Sequence, residues 1–191
     1  MSYIDAIVLG LVQGLTEFLP VSSSGHLVMA QTFLGVPAPG VFLEVVLHVA
    51  TLLSVVVVYR RKLTTLAVGG LVRRDPAELR YIWMLVLATL PVVVIGLLFR
   101  DGIEAAFDTP YVTGFMLLVT GAILASTTWS RTGGVREPRA GHAVGMGLAQ
   151  CLALFPGISR SGSTIAAGLW LDLDGERAAE FSFLMSIPAI A

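Results

Sequence analysis

Gly10-Leu-Val-Gln-Gly-Leu-Thr-Glu-Phe-Leu-Pro-Val-Ser-Ser-Ser-Gly25 comes back, altered, as Gly147-Leu-Ala-Gln-Cys-Leu-Ala-Leu-Phe-Pro-Gly-Ile-Ser-Arg-Ser-Gly162, 137 positions later in a chain of 191 residues. Without a gap, eight of the sixteen positions are identical: Gly, Leu, Gln, Leu, Phe, Ser, Ser and Gly. Each copy reads as an apolar helix, a Pro or Pro-Gly break, and a Ser/Gly cluster opening a second apolar helix. Interrupted helices at corresponding places in two halves point to a polar site near the middle of a bilayer. The copies add different chemistry: Glu17 and His26 in the first, Arg160 and Thr164 in the second.

The surroundings agree with a membrane. Mean hydropathy is +0.84, and 55% of residues are hydrophobic against 13% charged. A soluble domain carries about 25% charged residues. The single cysteine, Cys151, excludes an intrachain disulfide and a cysteine metal cluster, and reads as a small apolar filler. The start, Met1-Ser-Tyr-Ile-Asp5, has an acid and no basic n-region, so the first helix is expected to remain in the mature protein.

Three segments, 41–59, 81–99 and 111–129, are each about 19 residues long, close to the ~20 needed to span. Tyr59, Tyr81, Tyr111 and Trp129 mark their ends as interfacial aromatics do. Ten of the twelve Lys and Arg residues fall in the loops between and after them. Loop 60–80 is basic, loop 100–110 sets Arg100 against Asp101, Glu104 and Asp108, and loop 130–140 is basic again. The positive-inside rule then places the first and third loops in the cytoplasm and the middle one outside.

With three spans between the copies, the hairpin at about 3–35 is expected to dip in from the outer face and the one at about 141–171 from the inner face. The predicted fold is an all-α membrane domain over 1–191: an inverted repeat, about 3–59 and about 141–191, whose two re-entrant broken helices meet near the midplane. The last apolar run, from Ala178 to Ala191, is short for a span. A segment matching 41–59 is therefore expected to be missing after it.

Ionisable side chains in apolar spans are functional candidates by default: Glu17, His26, Glu44, His48 and Arg160. Gln13 and Glu17 lie four apart on one helix face, beside the break. Glu17 suits a general base, a metal ligand or a partner for Arg160; the plainer reading is a protonated carboxyl bonded to a neighbouring helix. Ser22, Ser23, Ser24 and Gly25 put hydroxyls and free amides at a helix N-terminus, an anion site or a simple N-cap. The cluster recurs as Ser159-Arg-Ser-Gly-Ser-Thr164, which favours the anion. Arg160, Ser159, Ser161 and Thr164 join Ser22, Ser24 and Gly25 as phosphate-binding candidates, because a planar guanidinium grips two phosphate oxygens at once. His26 could move a proton at that anion, or serve as a structural hydrogen-bonder. Glu44 and His48, also four apart, are supporting candidates. His142 and Glu180 are expected at the interface.

Neither a nucleotide-binding Gly-x4-Gly-Lys-Ser/Thr loop nor a His-Glu-x-x-His zinc helix occurs. Ser24-Gly25 with a later His48 leaves an intramembrane serine protease as a remote alternative. A type 2 phosphatidic acid phosphatase is disfavoured: Ala166 stands where its second histidine would be, and its Lys-x6-Arg-Pro element is absent.

Gln13-Gly-Leu-Thr-Glu17-Phe-Leu-Pro-Val-Ser-Ser-Ser-Gly-His26 resembles the first signature of the bacterial undecaprenyl-diphosphate phosphatases, the bacitracin-resistance family. Pro156-Gly-Ile-Ser-Arg160-Ser-Gly-Ser-Thr164 resembles the second. Phe42-Leu-Glu44-x3-His48-x2-Thr51 and Glu180-Phe-Ser-Phe-Leu-x2-Ile-Pro188 extend the likeness over essentially the whole chain. The resemblance implies a multi-pass enzyme of the bacterial cytoplasmic membrane. Such an enzyme removes the terminal phosphate of undecaprenyl diphosphate and regenerates the carrier lipid of cell-wall synthesis.

The family's acidic motif falls on Gln13 and Glu17, its catalytic serine and histidine on Ser23 and His26, and its phosphate-binding motif on Ser159, Arg160 and Thr164. The expected scheme has Ser23 as nucleophile with His26 and Glu17 managing its proton; attack by His26 or by activated water stays open. A diphosphate brings about three negative charges against one arginine, so Mg²⁺ or Ca²⁺ on Glu17 would balance it; Gln13 in place of a second acid weighs against a two-carboxylate metal site. Expected partners are the polyprenyl diphosphate, membrane lipids and a second copy in a homo-oligomer, with no nucleic acid. A flippase or anion transporter on the same inverted-repeat scaffold is the alternative from another class.

Overall fold

A computed structural model of the chain describes residues 2–36, 41–107, 109–130 and 134–190, without the side chains of 41–44, 104 and 107. Among them every element is helical, with one isolated bridge between Val135 and Leu173.

The first copy forms α1 (Tyr3–Thr16) and α2 (Ser23–Leu34). A capping box starts α1: the Asp5 N–H donates to Ser2 Oγ at 3.2 Å and the Ser2 N–H to Asp5 Oδ2 at 2.6 Å. Gly35 ends α2 in the left-handed conformation, φ 62°. The second copy forms α8 (Ala140–Leu152) and α9 (Arg160–Trp170). Both breaks fall where the Pro and Pro-Gly steps stand.

Between the copies run α3 (Val41–Val58), α4 (Arg60–Thr65), α5 (Pro76–Leu98), α6 (Arg100–Phe107) and α7 (Pro110–Ser126), the last prolonged by a 3₁₀ turn to Trp129. The expected spans are helical, but the loops between them are not irregular. Loop 60–80 holds α4 and a π-helical stretch, Leu66–Val72. Its apolar residues need cover, and its glycines let it lie on α5: a Cβ on Gly70 would sit 2.6 Å from Ile82 Cδ1. Helix α5 also begins before Tyr81, because Asp75 caps it by accepting from the Ala77 N–H at 2.9 Å and Pro76 is preset for the first turn. The acidic loop 100–110 contains α6. Of the 36–40 turn, only Val36 is among the described residues.

Helices α5 and α7 with its 3₁₀ turn are long and apolar enough to cross a membrane, with mean hydropathies of 2.4 and 1.5 over their best windows. Only 22% and 11% of those windows are buried inside the protein. Apolar side chains such as Leu97 and Leu118 point outward, a surface water would not tolerate at this extent.

The core lies where α5, α8, α9 and α10 (Gly175–Ile190) meet, around Ala88, Met146, Ala167, Phe181 and Met185. Small residues set the spacing: a Cβ on Gly147 would meet the Ala88 carbonyl oxygen at 2.5 Å, so α8 approaches α5 nearly backbone to backbone. His142 pins the start of α8 to the end of α9, accepting from the Arg139 N–H at 2.9 Å and donating Nε2–H to the Leu171 carbonyl at 3.1 Å. This frame fixes the second break, and α10 carries Phe183 to within 6.0 Å of the Phe18 ring beside the first.

Candidate active site

The two breaks touch, and they do so reciprocally. A Cβ on Gly25 would lie 3.0 Å from Gly157 Cα, and a Cβ on Gly162 would lie 3.0 Å from the Pro20 carbonyl oxygen. Gly25 and Gly162 are the same position of the two copies, as are Pro20 and Gly157. The serine caps repeat too. Ser22 Oγ accepts from the Gly25 N–H at 3.3 Å and Ser159 Oγ from the Gly162 N–H at 3.0 Å. The breaks store their turn differently: the second at Gly157, φ +96°, and the first at Ser22, φ 69°, a costly conformation for a residue with a Cβ.

At this junction one carboxylate gathers three donors. Glu17 Oε2 accepts from Ser23 Oγ at 2.5 Å and from Gln13 Nε2 at 2.9 Å. Its Oε1 accepts from the Arg160 guanidinium at 2.8 Å. His48 Nε2 stands 3.9 Å from Oε2. Glu17 is 8% exposed and Arg160 19%, so the two groups are largely withdrawn from water and each is compensated by the other and by further hydrogen bonds. Beside them is a cavity of about 190 Å³. Ser22, Ser23 and Ser24 line it from the first break, Ser159, Arg160 and Ser161 from the second, and His48 from α3. Val92, Leu154, Ile158 and Ile190 make it apolar on another side.

Several expected residues sit elsewhere. His26 donates Nδ1–H to the Ser22 carbonyl at 2.7 Å and does not line the cavity. A histidine four residues into a helix is within reach of the cap carbonyl, and that bond holds the strained Ser22 turn. Thr164 is fully buried behind the arginine. Its hydroxyl is engaged by the Arg160 carbonyl at 2.8 Å and Ser182 Oγ at 2.6 Å, which keeps it off the cavity wall. Gly25 contributes its amide to the cap and its lack of a side chain to the tip contact. The Glu44 side chain lies outside the described residues.

Three residues escaped the sequence reading. Thr120, inside the span 111–129, donates to the Gly157 carbonyl at 2.7 Å and accepts from the Ser159 N–H at 3.0 Å, so α7 clamps the second break. A hydroxyl in an apolar run was its signal. Ser182 receives Thr164 and, through its carbonyl at 3.5 Å, Arg160. Gln150 lines the cavity and was visible as an identity between the copies.

Residues 6–191 match the family described as bacitracin resistance protein BacA. The chain belongs to this family. Curated relatives align along all of it and about three quarters of their own length. An undecaprenyl-diphosphatase of Desulfosudis oleivorans is 46% identical over 205 residues, covering 75% of that protein. One of Rubrobacter xylanophilus is 45% identical over 202 residues, covering 74%. One of Methanobrevibacter smithii is 42% identical over 207 residues, covering 74%.

Among the described residues of this BacA-family chain, the junction offers one carboxylate and one imidazole to a cation. Among the described residues no three of His, Cys, Asp and Glu gather to hold a metal. Both oxygens of Glu17 are engaged by Arg160, Ser23 and Gln13, and an amide stands at the first acidic position. The arrangement does fit an anion: two capped helix N-termini, a guanidinium with donors to spare, and a hydroxyl held against a carboxylate.

Proposed function

We propose that this chain is an undecaprenyl-diphosphate phosphohydrolase, which removes the terminal phosphate and returns the monophosphate carrier lipid to cell-wall synthesis, so conferring bacitracin resistance. The observation that carries the reading is the 2.5 Å bond from Ser23 to Glu17 with Arg160 on the same carboxylate. An alcohol, its proton acceptor and a cation for phosphoryl oxygens are thereby assembled in one cavity. The cavity's apolar side suits the first units of a polyprenyl chain.

In this scheme Arg160 and the N-termini of α2 and α9 bind the diphosphate. The Ser23 hydroxyl attacks the terminal phosphorus as Glu17 takes its proton. The Ser23–phosphorus bond forms, the bridging oxygen–phosphorus bond breaks, and undecaprenyl phosphate leaves. Water then hydrolyses the phosphoserine to inorganic phosphate. His48, with Nε2 3.9 Å from Glu17 Oε2, exchanges a proton with Glu17 through one bridging water in this scheme, and His26 positions the Ser22–Ser23 turn. Arg160 leaves part of its bond to Glu17 for the substrate. Any Mg²⁺ or Ca²⁺ dependence belongs, on this reading, to the diphosphate complex and not to the resting protein.

The same reading places the protein as a multi-pass enzyme of the bacterial inner membrane. Its copies, about 3–59 and about 141–191, are an inverted repeat with re-entrant hairpins. The reciprocal tip contact and the basic, acidic, basic order of the loops support that arrangement, with the first hairpin open to the outer face. Membrane lipids and a second copy are the proposed neighbours.

The test is phosphate release from undecaprenyl diphosphate by the detergent-solubilised chain. Wild type should release phosphate and Arg160→Ala should lose on the order of 10²-fold or more in rate. Wild type that binds the lipid diphosphate without releasing phosphate would overturn the reading.

A further inference from the structure

Gln150 stands on α8 and is one of the residues lining the cavity that Ser23 and Arg160 share. It is 2% exposed. Neither Nε2 nor Oε1 has a hydrogen-bond partner among the described residues. A carboxamide offers two donors and an acceptor, and burying it unmet is costly.

The repeat explains the missing partner. Gln13, at the same position of the first copy, donates its amide to Glu17 four residues on. Four residues after Gln150 comes Leu154, which accepts nothing. The second copy keeps the amide and lacks the carboxylate that would occupy it. The cavity that Gln150 lines is where a bound group can supply that partner. The same cavity is lined by Arg160, Ser159 and Ser161 at a helix N-terminus, and across it by the Glu17 carboxylate, which Arg160, Ser23 and Gln13 already occupy. Another N–H beside them complements phosphoryl oxygen better than it complements a cation or an apolar group.

We propose that Gln150 is a substrate-contacting residue, its amide N–H held by a phosphoryl oxygen of the bound lipid diphosphate. This rests on the phosphohydrolase reading and adds a contact to it. The asymmetry follows from the repeat: Gln13 serves the carboxylate that manages the serine, and its counterpart serves the anion.

The test compares the full chain carrying Gln150→Leu, Gln150→Met or Gln150→Glu with wild type in detergent. It measures the melting temperature alone, its rise on adding farnesyl diphosphate as a probe, and phosphate release from undecaprenyl diphosphate. The apolar variants should keep or raise the ligand-free melting temperature, because they remove unmet polar groups. They should shrink the probe-induced rise and lower kcat/KM about 10- to 100-fold. Gln150→Glu should lose more, since its charge opposes the diphosphate. If Leu does not fold, Met, closer in shape, carries the comparison. Apolar variants that bind and hydrolyse as wild type does would overturn the proposal and leave the phosphohydrolase standing. So would a lower ligand-free melting temperature with an unchanged probe response, the mark of a buried structural water. Wild type that binds the probe without hydrolysis, while Gln150→Leu loses binding, would sink the phosphohydrolase and keep the contact. A wild type that does neither overturns both.

Discussion

Ser23 and Arg160 occupy the same position in the two copies of the repeat, and both donate to the Glu17 carboxylate, at 2.5 and 2.8 Å. Each opens the second helix of its copy directly after a serine cap. One duplicated backbone feature therefore presents a hydroxyl from one side and a guanidinium from the other, the proposed nucleophile and phosphate-binding cation.

The division of labour is testable in kinetics. Ser23→Ala should lower kcat by about 100-fold or more with little change in KM, because it removes the attacking oxygen and leaves the anion site. Arg160→Lys should raise KM as well as lower kcat, since an ammonium keeps the charge and loses the planar fork. Steady-state phosphate release separates the two patterns.

Glu17→Gln leaves a buried guanidinium without its counter-charge. A loss of about 3–5 kcal/mol is expected for breaking such a pair from one side. Adding Arg160→Gln should restore much of the stability and none of the activity. Thermal unfolding of the single and double variants checks this.

The second break should be brittle. Gly157→Ala puts a side chain at φ +96° and against the Thr113 carbonyl, and Thr120→Val leaves the Gly157 carbonyl and the Ser159 N–H unmet. Each should cost on the order of 1–3 kcal/mol. Ala at Gly114, where no atom lies within 4 Å of an added Cβ, is the control.

The two histidines should part company. His48→Gln is expected to lower kcat and leave thermal stability near that of wild type, because His48 lines the cavity beside Glu17. His26→Gln should lower thermal stability as well as kcat, because its ring holds the Ser22 carbonyl. Melting temperatures and steady-state phosphate release of both variants decide the assignment.

The proposed hairpins predict a sidedness. In a Cys151→Ser background, Ser23→Cys should react with an impermeant thiol reagent added to intact cells. Reaction only after permeabilisation would reverse the proposed opening.

The helices, their breaks and the membrane character were legible in the sequence because they rest on local rules: apolar runs, Pro and Gly punctuation, serine caps. Glu17 and Arg160 were legible for the same reason, as costly ionisable groups beside breaks in greasy helices, whereas Ser23 was singled out from its serine cluster only by the family resemblance. The loop 60–80 was misjudged because its charges mark a loop locally, while its glycines allow a π-helical stretch to lie on α5.

What the sequence by itself determined is the duplicated helix–break–helix and the chemistry each copy carries. Only the tertiary structure decided how those groups are spent. It set Glu17 between Ser23 and Arg160, turned His26 onto its own cap, brought His48 to the cavity and hid Thr164 behind Ser182. The physical reason is that a helix propensity or a cap is settled within a few residues. A buried charge, in contrast, is satisfied by whatever lies within about 3 Å, and here that partner stands 143 positions away.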